Sequence, residues 1–125
     1  MKVYSTEQAP SAIGPYSQAV EVGDLIFISG QIPLDPKSMD IVSEDVSKQA
    51  EQVMKNVGAI LNEAGLDYQN LVKTTIYLKS MDDFATVNEI YANFLKEPYP
   101  ARAAFEVSKL PKDVKVEIEA IASKA

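Results

Sequence analysis

The sequence predicts an α+β (or α/β) domain in which two amphipathic helices cover one face of a sheet. Three observations carry that prediction. Two stretches repeat their apolar residues at helical spacing, and β-branched and aromatic residues collect in runs around them. The resulting order is strands, helix, strand, helix, strands. With 125 residues, the chain is expected to form one domain over 1–125 with a real core.

Taken in order, Val3 to Ser5 is a short edge strand. Ser17 to Val22 and Leu25 to Ser29 are β-prone runs joined by Gly23-Asp24, the kind of pair that turns a hairpin. Gly30 and then Pro33 to Pro36 break the second strand. Val46, Ala50, Val53, Met54, Val57, Ile60, Leu61 and Ala64 share one side of a helix from about Asp45 to Ala64. Gly65 stands where a left-handed C-terminal cap belongs, and Glu44 and Asp45 place negative charge in the first turn. Leu71 to Leu78 is a strand. Ser80-Met81-Asp82-Asp83 resembles a capping box opening a second helix, which carries Phe84, Val87, Ile90, Tyr91, Phe94 and Leu95 and stops before Pro98 and Pro100. Two strands, about Arg102 to Val107 and Val114 to Ile121, close the chain. Helices on one sheet face leave the other to be covered, and self-association is the economical way to do it.

Composition excludes several kinds of chemistry. Lys and Arg number 12 against 18 Asp and Glu, a net charge of −6, so no basic footprint for nucleic acid or an anionic membrane is expected. The chain has neither His nor Cys, which removes Ser-His-Asp triads, thiol nucleophiles, zinc ribbons and disulfides. No metal site is expected. Any catalysis must use Arg, Lys, Glu, Asp, Tyr, Ser and backbone groups. No signal peptide is visible, and no apolar run approaches the ~20 residues that span a bilayer, so a cytoplasmic location is expected.

Few residues stand out as carriers of chemistry. Arg102 is the only arginine, and its neighbours Ala103 and Ala104 leave room beside a guanidinium that can bind a carboxylate through two parallel bonds. The alternative is an ion-paired surface arginine. Glu117 and Glu119 alternate onto one face of the last strand, where one can hold a water; a solvated face with a Lys115 pair is the alternative. Tyr16, in a Gly-Pro loop, can close a small pocket, and backbone N–H groups around Gly30 can receive an anionic oxygen. Taken singly, each is better accounted for as a packed turn. Asn88 is as readily solvent-facing as functional. Ser29 lacks a base at evident spacing, which argues against a nucleophile.

The chain from Pro100 to Ala122 resembles the signature of the RidA (YjgF) family, with Arg102-Ala103-Ala104 near its start and Val116-Glu117-Ile118-Glu119 near its end. Ile13 to Ala19, Ser29 to Pro36, Val72 to Leu78 and Val87 to Tyr91 resemble it too, in the same order. The resemblance implies a chorismate-mutase-like fold, a mixed sheet covered on one face by two helices, with sheets packing together in a homotrimer and clefts between subunits. It implies hydrolysis of reactive 2-imino and enamine acids, such as 2-aminoacrylate/2-iminopropanoate and 2-iminobutanoate, to 2-oxo acids and ammonia without a cofactor. By motif position, Arg102 would clamp the carboxylate with the Gly30 backbone, and Tyr16 would bound the pocket. Ser29, Asn88 and Ala104 would shape it, and Glu117 would position the water. Some close relatives carry Ser-Cys where this chain has Ala103-Ala104, which bears on substrate range. A non-catalytic trimer that binds small carboxylates or regulates is the alternative reading. Endoribonuclease activity, also attributed to the family, fits poorly with the acidic charge and the missing His.

Overall fold

A strand, a helix and a parallel strand follow one another twice, and that repetition sets the architecture. The computed structural model describes residues 1–125. Its elements are β1 (Lys2–Tyr4), β2 (Ala19–Val22), β3 (Leu25–Gln31), α1 (Val46–Glu63), β4 (Leu71–Leu78), α2 (Phe84–Asn93), β5 (Ala101–Glu106) and β6 (Val116–Ser123). They form one six-stranded sheet in the order β1-β2-β3-β6-β4-β5. The last strand, β6, lies between β3 and β4 and runs antiparallel to both, whereas β5 runs parallel to β4. Both helical crossovers therefore step the same way across the sheet, and the right-handed preference of such crossovers puts both helices on one face.

Each helix forms for local reasons and is fixed by packing. Asp45 is the N-cap of α1, its carboxylate accepting from the Lys48 N–H, so it precedes the first turn instead of sitting within it. At the other end Gly65 has φ 76°. The Leu66 N–H reaches Leu61 O at 2.9 Å and the Gly65 N–H reaches Asn62 O at 3.0 Å, the paired bonds of a Schellman motif. The predicted stripe of α1 is buried against Ile26, Ile28, Ile76, Leu78, Ile118 and Ala122 from the sheet. Each fully buried Val, Leu, Ile or Met side chain among them contributes about 1.5–3 kcal/mol of hydrophobic stabilisation.

Three further expectations need adjusting. Gly30 does not end the second strand: β3 continues to Gln31, and a register shift against β6 between Ile28 and Gln31 absorbs the extra residue. Ser80 caps a short 3-10 turn over Met81–Asp83 ahead of α2, and the Met81 N–H is taken by Glu106 at the end of β5. Lys115 lies before β6 and turns to α1, its N–H on Gln49 and its ammonium on the Glu44 carbonyl, so it does not pair with Glu117.

Buried amide side chains tie the loops to this core. Gln18 accepts from the Thr6 N–H and donates to the carbonyls of Thr6, Ala9 and Pro10, while Asn56 donates to those of Ile32 and Leu34. The second sheet face is left open. It carries Phe27 at 40% and Phe105 at 52% exposure, together with Val3, Val22 and Leu25. No helix in the structure is long and apolar enough to cross a membrane.

Candidate active site

Arg102 sits on the edge strand β5, opposite Thr74 of β4. Its side chain extends over the helix-covered face toward α2. One terminal N–H is donated to the Asn88 side-chain oxygen, and the guanidinium carbon lies 5.3 Å from the ring centroids of both Phe84 and Tyr91. The buried Tyr91 hydroxyl and Thr74 Oγ1 are hydrogen bonded at 2.7 Å. Burial pushes the Tyr91 hydroxyl pKa up, against the opposing effects of the Thr74 bond and the Arg102 charge. Arg102 takes part in none of the three ion pairs of the chain. It lines a cavity of about 430 Å³ with Asn88, Tyr91, Leu95, Tyr99 and Pro100. Ala104, opposite Ile76, packs against the core two residues further along the same face.

Glu117 occupies the opposite face. On β6 it stands across from Tyr77, whose ring stacks on Phe105 at 6.5 Å between centroids. Its carboxylate is pressed against the β3 bulge: a Cβ at Gly30 would fall 2.0 Å from Glu117 Oε2, so only glycine fits there without displacing it. Burial raises the Glu117 pKa above its ordinary 4.5, and the charge of Glu119 adds to the effect. Ser29 precedes Gly30 on β3, its hydroxyl donating to the Ser17 carbonyl at 2.6 Å. Tyr16 is half exposed and lines a groove of about 340 Å³ with Gly30, Gln31 and Lys112.

The predicted residues therefore fall into two groups. Arg102 and Asn88 are joined directly, with Ala104 on the same face. Gly30 and Glu117 are in contact, with Ser29 and Tyr16 next to Gly30. Within one chain the two groups do not meet, because residues of one strand pairing alternate between faces and Arg102 and Glu117 fall on opposite ones. No group of three or more carboxylates converges where a metal ion could be held.

The family described as Endoribonuclease L-PSP matches residues 6–124. Human 2-iminobutanoate/2-iminopropanoate deaminase is 54% identical over 121 residues, covering 97% of this chain and 88% of the human protein. The chain belongs to the RidA (YjgF) family. Among RidA-type crystal structures, the YjgF gene product of E. coli superimposes with a TM-score of 0.95 at 50% identity, covering all of both chains. E. coli TdcF, solved with bound serine, gives 0.95 at 45% identity, again over both chains in full. The mixed six-stranded sheet with two helices is thus the RidA fold.

Sequence reasoning did not find the aromatic walls around Arg102. Phe84, Tyr91 and Leu95 carried only the helical apolar stripe, and Tyr99 gave no signal beyond its place between two prolines. The 84, 88, 91 spacing, which puts Asn88 on the same side of α2 as the two rings, was the available clue.

Proposed function

We propose that this protein hydrolyses 2-imino acids to 2-oxo acids and ammonia. The observation that carries the reading is the chain's only arginine, held by an amide and two rings, free of any carboxylate, at the wall of a cavity. A guanidinium so placed is ready for a carboxylate from solution. The relationship to proteins named 2-iminobutanoate/2-iminopropanoate deaminase supplies the substrate class. An imine protonated near neutral pH is already electrophilic, so the site has mainly to orient two partners, an effect worth up to ~7–11 kcal/mol in favourable cases.

In this reading Arg102 and the Gly30 backbone hold the carboxylate, while Tyr16, Ser29, Asn88 and Ala104 bound the substrate. Glu117 directs a water at the imine carbon. Its raised pKa brings the carboxyl closer to the range in which it can take a proton from that water and return it to nitrogen. The C–O bond forms as the C=N π electrons move to nitrogen, and collapse of the resulting carbinolamine breaks the C–N bond and releases ammonia. No step requires a cofactor. Because the Arg102 and Glu117 groups lie on opposite sheet faces, the complete site is assembled between subunits, one chain supplying the arginine and its neighbour the glutamate. The open apolar sheet face provides the surface for a homotrimer.

The test is pyruvate release from 2-aminoacrylate generated in place by a serine- or cysteine-consuming lyase, read by a coupled dehydrogenase. The wild-type chain should accelerate hydrolysis over the spontaneous rate, and Arg102→Ala should lose at least about a hundredfold in kcat/KM, the scale set by losing a charge-assisted, bidentate anchor. No acceleration by the folded protein would reject the deaminase. The serine bound in TdcF favours one second reading, a non-catalytic site for small amino or oxo acids. Under that reading Arg102→Ala abolishes serine binding while neither protein accelerates hydrolysis.

A further inference from the structure

An arginine on an edge strand is a mobile anchor, because its long side chain samples many rotamers unless something holds it. The usual restraint, a neighbouring Asp or Glu, would neutralise the guanidinium and compete with an incoming carboxylate. This chain uses another. Phe84, Asn88 and Tyr91 are spaced as i, i+4 and i+7 on α2, so they form one stripe along the helix, and all three touch Arg102. The two rings present their π systems to the cation at 5.3 Å, and Asn88 accepts one N–H. Of the five N–H donors of a guanidinium, four are left for a ligand. Tyr91 is itself fixed, since its hydroxyl is tied to Thr74, the residue directly across from Arg102 on the adjacent strand.

We infer that Phe84 and Tyr91 are positioning residues for the carboxylate anchor: their ring faces hold the Arg102 guanidinium by cation–π attraction, which orients the charge without consuming the hydrogen-bond donors the substrate needs. The inference rests on the reading of Arg102 as the carboxylate clamp and deepens it by naming what keeps the clamp open. It also accounts for the absence of an acidic partner at the one arginine of a chain with 18 acidic residues.

Ring electrostatics provide a test that packing alone cannot mimic. Phe84 is replaced by 4-fluoro-, 3,5-difluoro- and 3,4,5-trifluorophenylalanine, which are nearly isosteric but have progressively weaker negative faces. The Kd for 2-oxobutanoate is measured by calorimetry and the KM for 2-iminobutanoate by turnover. Both constants should rise stepwise, reaching about three- to tenfold at the trifluoro ring, with kcat within about twofold. Tyr91→Leu should weaken binding about tenfold, and Tyr91→Phe, which keeps the ring, should restore it to within about threefold. Flat constants across the fluorinated series overturn the inference, as does a series that keeps its slope in an Arg102→Ala background. If Arg102→Ala alone leaves 2-oxobutanoate binding unchanged, the clamp itself is wrong and the inference goes with it. That outcome is distinct from a flat series on an intact clamp.

Discussion

Glu117 is a carboxyl with two neighbours that matter: the bare backbone of Gly30 and the charge of Glu119. Burial makes its ionised form costly, so the folded chain binds this proton more readily than the unfolded chain does. The native state is accordingly strongest, with respect to this group, below the unfolded value of 4.5, and it loses that advantage as the pH rises through the raised folded value. Glu117→Gln removes the charge and keeps the shape. Thermal melts should show the variant more stable than the parent at pH 7, with the difference shrinking as the solution is acidified. In the aminoacrylate assay the same variant should lose at least about a hundredfold in kcat/KM. A variant that melts lower at pH 7, or that stays active, contradicts this account. Glu117 and Gly30 were both legible as candidates, one from its place on the strand and one from its missing side chain. That each requires the other was not legible, because they stand 87 positions apart and meet only through a bulge in β3.

The helix α1 shows the same logic within an element. Glycine inside a helix costs about 1 kcal/mol relative to alanine, so local propensity alone recommends replacing Gly58. The fold argues against it. Tyr68 crosses the helix at this point, its hydroxyl donating to the Met54 carbonyl at 2.7 Å, and burial pushes its pKa up to about 12. A Cβ at Gly58 would lie 2.2 Å from that hydroxyl oxygen and 2.7 Å from Cζ. Gly58→Ala should therefore destabilise by about 1–3 kcal/mol in urea or thermal unfolding. In a Tyr68→Ala background the same substitution should become neutral or stabilising, since only the propensity gain is left. Additive effects across that cycle would show that the ring is not the obstacle. The C-terminal cap of α1 at Gly65 was readable in advance because capping is a local interaction, whereas Asp45 was read one position too far in, as a first-turn acid; the Tyr68 contact was not readable, because it depends on how the chain returns after the helix ends.

For the whole molecule, the question is which surfaces meet. The open sheet face exposes Phe27, Phe105, Leu25 and Val22, apolar side chains of the kind that mark an interaction surface. In the proposed trimer the Arg102 group of one chain meets the Glu117 group of another. Two inactive variants, Arg102→Ala and Glu117→Ala, should then complement each other. If they are unfolded and refolded as an equal mixture, about a quarter of the shared sites receive both native residues and that share of activity returns. Two variants that stay inactive when mixed, with light scattering showing that mixed oligomers have formed, would place both residues in a site within one chain.

By itself the sequence determined the kind, order and approximate limits of the helices and strands, the placement of both helices on one sheet face, the hairpin at Gly23-Asp24, and the short set of residues able to do chemistry. These follow from periodicity, capping, turn chemistry and composition, all of which act within a few residues along the chain. Tertiary structure alone decided that β3 continues through Gly30, that Glu117 fills the space a side chain there would need, and that Arg102 and Glu117 face apart. It also turned Phe84 and Tyr91 of the helical stripe, with Asn88 between them, into the seat of a guanidinium. Strand pairing register sets the face of every residue on β5 and β6, and register is fixed by partners dozens of residues away, beyond the reach of local spacing.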